Sequence, residues 1–165
     1  MTQRVDLATV MDRLAIDAVI TGYAVAVDDG EWVDYRALFT PDGRADYRGA
    51  GGVEGPAHEV AEWLARTMRL FPVRQHLVVN RRIGFQELDG YPGDRAEVLA
   101  DYVNPMRLES ATAGSGDAEV RITAPNFVSG GRYAFSLSRT DSGWRIRTVT
   151  VHEKWRGPTD PSTAG

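Results

Sequence analysis

The chain has 165 residues, 42% of them hydrophobic and 25% charged, no cysteine, and a formal net charge of −4. A chain of this length buries about two-thirds of its unfolded surface, so one domain holds together without a disulfide or a structural metal. The missing thiols exclude disulfides, thiolate nucleophiles and cysteine-ligated zinc, and the mild acidity excludes a broad attraction for nucleic acid, which needs a clustered basic surface.

In chain order, Val10, Leu14, Ile16, Val19, Ile20, Tyr23 and Val27 recur at three- and four-residue spacings, which predicts an amphipathic helix from residue 6 to about 28. Asp28-Asp29-Gly30 stops it, EWVDYRALF resumes a helical pattern, and Thr40-Pro41-Asp42-Gly43 predicts a turn. RADYR alternates as a short strand, and the glycine-rich GAGGVEGP reads as a loop. Pro56 opens a third helix, AHEVAEWLARTMRLF, which Pro72 closes. The period then drops to two, predicting strands over 73–88, 96–108, 129–139 and 144–155, parted by turn-forming stretches. Helices before strands predict an α+β domain over 1–156, with three N-terminal helices on a strongly curved antiparallel sheet and a flexible tail over 157–165. No apolar run approaches the roughly 20 residues of a membrane span, and the opening MTQRVDLATVMDRL is too polar for a signal peptide. A cytoplasmic protein that engages no membrane is the expectation.

Alternation along the strands puts His76, Val78 and Asn80 on one face, Val98, Tyr102, Asn104 and Met106 together on the next, and Tyr133, Phe135 and Leu137 on a third. These faces are apolar apart from one histidine, two amides and two phenols. A sheet that only packed on helices has little use for such groups, since each buried polar atom left unpaired costs roughly 1–3 kcal/mol. Taken singly, His76 reads as a hydrogen-bonded core residue, Tyr23 as a core aromatic and Asp28 as a solvated turn residue. His58 lies on a surface-patterned helix, and His152 with Glu153 reads as a strand end or a pocket edge.

In combination the stretches YAVAVDDGEW, FTPDGRADYR, FPVRQHLVVN and GGRYAFSLSRTDSGWRI tell more. In this order and spacing the chain resembles the SnoaL-like branch of the nuclear transport factor 2-like superfamily, which includes scytalone dehydratase and the bacterial bile acid dehydratase. The resemblance implies a cone in which the helices and a bent sheet enclose a pocket. It implies that His76 pairs with Asp28 and that Tyr23 and Tyr47 act in the site. It places Asn104 near a polar position where the bile acid enzyme has an aspartate. The second histidine of scytalone dehydratase has no counterpart, the nearest position being Leu108.

An imidazole titrates near neutrality, and a carboxylate on one ring nitrogen fixes its tautomer, so His76 is the expected general base and acid. Tyr23 and Tyr47 are expected to donate hydrogen bonds to a carbonyl oxygen as enolate charge develops. Asn104, Tyr102, Met106, Tyr133, Phe135, Val78 and Trp63 are the expected substrate-binding residues. The reading is a cofactor-independent dehydratase, a lyase acting on a hydroxylated cyclic, polyketide-, steroid- or aromatic-like molecule. Alternatives are a ketosteroid isomerase-like activity with Asp46 as base, a polyketide cyclase, and a non-catalytic small-molecule-binding module. An epoxide hydrolase needs an Asp–Arg–Asp set; Asp101 and Arg132 exist, but the sequence does not bring them together. With no HExxH, phosphate loop or GxSxG, neither a metal nor a cofactor is expected. A homodimer, or else a trimer, is expected through the outer sheet face, with Arg145, Arg147 and Glu153 beside Val149 and Val151.

Overall fold

Helix α1 (Leu7–Asp29) starts where the Asp6 carboxylate accepts from the Thr9 backbone N–H at 2.7 Å, and ends at Gly30, whose φ of +73° suits a residue without a Cβ. These elements belong to a computed structural model that describes residues 6–89, 91–109 and 124–159. Ile16, Val19, Ile20, Tyr23, Ala24 and Val27 form the buried stripe of α1, whereas Leu7, Val10, Met11 and Leu14 of its first half are exposed. The buried stripe therefore begins at Ile16 rather than at Val10. A short α2 (Trp32–Ala37) buries Tyr35 completely. Helix α3 (Ala57–Thr67) buries Val60, Ala61 and Leu64, and its last turn tightens to a 3₁₀ segment at Met68–Leu70. None of the described helices is long and apolar enough to cross a membrane.

Among the described residues seven strands form one curved sheet: β1 (Phe39–Asp46), β2 (Glu54–Pro56), β3 (Val73–Arg74), β4 (Leu77–Leu88), β5 (Tyr91–Arg107), β6 (Phe127–Thr140) and β7 (Gly143–Pro158). Their order is β2-β1-β7-β6-β5-β3, with β4 also on β5. The helices cover the concave face, whose core includes Val98, Tyr133, Phe135, Leu137, Ile146 and Val149. The α+β cone is as predicted, but the sheet is mixed, because β1 runs parallel to β7. Side-chain period carries no information on the direction in which strands a hundred residues apart will pair. The predicted turn at residues 40–43 is instead an irregularity within β1, where the register shifts between Phe39 and Arg44. Residues 157 and 158, predicted as tail, continue β7, and residues 160–165 lie outside the described residues.

The long strand predicted over 73–88 is interrupted at Gln75 and His76. Gln75 donates its N–H to the Pro105 carbonyl at 3.2 Å, and Pro105 has no N–H with which to reciprocate. A second irregularity lies between Val79 and Arg82, where Asn80 has a φ of +52°. It reverses the alternation: Asn80 swings to the outer face and bonds the Asp101 carboxylate at 3.2 Å, while Arg81 reaches Asp17 and Thr21 of α1. The expectation that Asn80 shares a face with His76 and Val78 is thereby corrected.

Asp12 ties the first half of α1 to β6 and β7. Both its oxygens accept from Arg139, at 2.7 and 2.5 Å, and the Trp144 indole donates to it at 3.1 Å. The Arg139 guanidinium holds the Asp12 carboxyl below its ordinary range, so this stabilisation is present above the unfolded-state pKa and is lost as pH falls through the lower folded value. Arg139 is partly solvated, which tempers the effect. Urea titration of Asp12→Asn at neutral pH is expected to show a loss of about 1–2 kcal/mol that shrinks toward pH 3; a pH-independent difference would show that the ion pair is not its source.

Candidate active site

His76 sits in the strand break, and the flanking register, Arg74 with Met106 and Leu77 with Val103, sets it opposite Asn104. Its backbone N–H points away from β5 and donates to Asp28 Oδ2 at 2.7 Å, while its ring Nδ1 lies 2.5 Å from Asp28 Oδ1. One residue therefore takes both oxygens of the carboxylate that terminates α1. A carboxylate only accepts, so Nδ1 carries the hydrogen and the Nε2 lone pair is left for other work. The His76 side chain is 8% exposed and Asp28 17%. Arg74 holds the junction: its guanidinium donates to the carbonyls of Val27, Met68 and Phe71 at 2.9, 3.2 and 2.9 Å, tying the end of α1 to the end of the third helix.

The imidazole lines a cavity of about 230 Å³. Tyr23 from α1 and Tyr47 after β1 share a short hydroxyl–hydroxyl hydrogen bond, and the Tyr35 hydroxyl lies 3.2 Å from that of Tyr47. Either hydroxyl of each pair can be the donor, and the file is satisfied when Tyr35 donates to Tyr47 and Tyr47 to Tyr23, an order in which the Tyr23 hydrogen can turn to Tyr133 or to a ligand. Burial pushes the Tyr23 and Tyr47 hydroxyls well above the ordinary phenol range, and raises Tyr35 and Tyr133 as well. All four are O–H donors at neutral pH. Asn104 is 5% exposed, lines the same cavity, and its Oδ1 has no partner among the described residues. That unpaired acceptor suits a ligand hydroxyl. The Trp63 ring, stacked on Tyr47 with centroids 6.3 Å apart, forms an aromatic wall.

The mouth carries two charged residues. Glu153 and Arg156 both line the cavity, and Arg156 Nε donates to Glu153 Oε1. Strict alternation would send them to opposite faces. However, Glu153 pairs with Gly131 and Trp155 with Gly130, so β7 spends an extra residue, Lys154, there and its parity reverses. Lys154 points outward, 3.6 Å from Asp101. Burial, and after it the Glu153 charge, raises the Tyr102 hydroxyl to about 12.

Among the expected site residues, His76, Tyr23, Tyr47, Asn104, Tyr102, Met106, Tyr133 and Trp63 line this cavity, with Asp28 behind the imidazole. Val78 and Phe135 do not; both are buried in the core, Phe135 edge-on to Tyr23 with centroids 5.2 Å apart. Asp46 also lies off the cavity wall, where Arg48 holds its carboxyl down to about 2. Asp101 and Arg132 do meet, at 2.8 Å, but beside Lys154 and Asn80 and away from the cavity. The expected outer interface also needs correction, because Val149 and Val151 are buried and Glu153 faces the cavity. Tyr35 and Arg74 behind the cavity, and Ser129 and Arg156 on its wall, are residues that sequence patterning does not mark. For Arg156 the one local signal was the Gly130-Gly131 pair opposite a tryptophan, since glycine within a strand marks a bulge.

Residues 8–150 match the family model described as a SnoaL-like domain. Uncharacterized proteins of Mycobacterium tuberculosis and Mycobacterium bovis are 30% identical over 140 residues, covering 85% of this chain and 84% of theirs. The structure superposes on hexachlorocyclohexane dehydrochlorinase LinA-type3 from Novosphingobium barchaimii with a TM-score of 0.74, at 16% identity, covering 95% of this chain and 96% of that one. A Novosphingobium aromaticivorans protein with a provisional scytalone dehydratase assignment gives a TM-score of 0.70, at 16% identity, covering 92% and 89%. At these identities the structural likeness is one of fold.

Proposed function

We infer from two facts, that this chain belongs to the SnoaL-like domain family and that its cavity holds a carboxylate-anchored imidazole, that it is a cofactor-independent lyase dehydrating a hydroxylated cyclic ketone. The observation that carries the reading is the His76–Asp28 pair facing a chamber lined with protonated phenols. The fold shared with a dehydrochlorinase supports elimination as the reaction class.

His76 Nε2 takes a proton from the carbon next to the carbonyl, and Asp28 stabilises the imidazolium formed. The electron pair moves onto the carbonyl oxygen, where Tyr23 donates a hydrogen bond strengthened by the Tyr47 and Tyr35 hydroxyls behind it. As the enolate re-forms the carbonyl, the β-carbon–oxygen bond breaks and the hydroxyl leaves with the proton from Nε2. The products are an enone and water. Asn104 Oδ1 accepts from a substrate hydroxyl and so orients the ring. The Arg48-bound Asp46, outside the cavity wall, disfavours the isomerase reading with that carboxylate as base.

Incubation with β-hydroxy cyclic ketones, followed by the ultraviolet absorbance of the enone, tests the reaction. Tyr23→Phe is expected to lower turnover by about 10²-fold, the usual loss for one oxyanion donor, and Tyr35→Phe, whose hydroxyl acts only through that of Tyr47, by less. Wild-type rates in Tyr23→Phe would remove the phenol from the chemistry.

A further inference from the structure

The Glu153–Arg156 pair is unexplained by folding. Val151, Met106 and Phe127 line the same cavity, and withdrawing a carboxylate into such a wall costs desolvation that a half-exposed partner offsets only in part. The Glu153 side chain is 12% exposed, so the carboxylate is largely withdrawn into the wall, while that of Arg156 is 48% exposed at the rim. Glu153 occupies only Nε of a guanidinium that has five N–H donors. Among the described residues no acceptor is bonded to Nη1 or Nη2. The withdrawn acid thus holds the guanidinium through Nε and leaves both Nη groups of a cavity-lining residue unbonded. Gly51, with a φ of +79°, lies beside it on the cavity wall, and a Cβ there would meet Arg156 Nη2 at 3.8 Å, an ordinary van der Waals contact.

An arginine held by an acidic neighbour through Nε, with both Nη groups free, matches the two oxygens of a planar carboxylate bidentately. Among the described residues Arg156 is also the one arginine or lysine on the cavity wall. We propose that the mouth of this cavity is a carboxylate-binding subsite, so that the substrate is a cyclic hydroxy-ketone carrying a carboxylate at the end remote from His76. The inference rests on reading the cavity as the substrate site. It makes Arg156 a specificity-determining residue and Glu153 a positioning residue, with no part for either in the proton transfers.

Isothermal titration calorimetry with three planar probes separates charge from shape: 2-naphthol, 6-hydroxy-2-naphthamide and 6-hydroxy-2-naphthoate. The naphthoate is expected to bind the wild-type protein about tenfold more tightly than either neutral probe, the gain of a charge-assisted pair. In Arg156→Gln the gap is expected to close to within about threefold while 2-naphthol affinity stays unchanged. Equal binding of all three probes to the wild type, or a preference for the naphthoate that survives Arg156→Gln, overturns the subsite and leaves the substrate-site reading standing. Failure of all three probes to bind at millimolar concentration overturns both.

Discussion

His76→Ala is expected to lower turnover by about 10²–10⁴-fold, the range for loss of a positioned proton-transfer group. Dissociation constants for a bound ketone should change by less than about threefold, because the substrate is held chiefly by the phenols, Asn104 and the aromatic wall. The prediction follows from geometry: Asp28 takes both the ring N–H and the backbone N–H of His76, so the imidazole is held at two points and Nε2 is its only free nitrogen. Asp28→Asn tests the same pair differently. An amide can present its NH₂ to Nδ1 and so move the ring hydrogen to Nε2, the tautomer that cannot accept a proton there. Turnover should fall nearly as far as in His76→Ala, without loss of the cavity. The decisive measurements are initial rates on a β-hydroxy ketone and calorimetric binding of 2-naphthol to each variant. Loss of affinity in proportion to rate would show that His76 serves binding and not proton transfer.

Gly131→Ala is expected to destabilise the protein by about 3 kcal/mol, at the upper end of the usual cost of overpacking. An added Cβ there would lie 2.2 Å from the His152 carbonyl oxygen and 2.8 Å from Glu153 Cα, so backbone rather than a pliable side chain must move. Since Gly131 faces the extra residue of β7, relief requires that the bulge flatten, which would turn Arg156 out of the cavity. Gly157→Ala in β7 is the control: its Cβ meets nothing within 4 Å, and a change within about 0.5 kcal/mol is expected. Urea unfolding of both variants decides the matter, and a Gly131→Ala midpoint equal to that of the control would contradict the tight approach of β6 to β7.

The pattern of the chain made much of this legible. The change of period after Pro72 marks where helices give way to sheet, and the inward faces of β5 and β6 follow from alternation because those strands pair in unbroken register from Arg95 to Met106. Legibility failed where a strand is irregular. Asn80 and Arg81 exchange faces at one bulge, and Glu153 and Arg156 are brought to the same face by another. A one-residue slip moves every later side chain to the opposite side, and the partner strand decides whether it occurs.

The residues alone therefore determined the division into helical and sheet halves and the presence of His76, Asn104, Tyr102 and Tyr133 on inward faces, because three- to four-residue and two-residue periods are properties of consecutive positions. Only the tertiary structure decided the parallel β1–β7 pairing, the file of hydroxyls from Tyr35 to Tyr23, and the bulge that aims an arginine into the mouth. Each of these is a meeting of segments distant in the chain, and its cause is closure of the core around the helices, which no local pattern records.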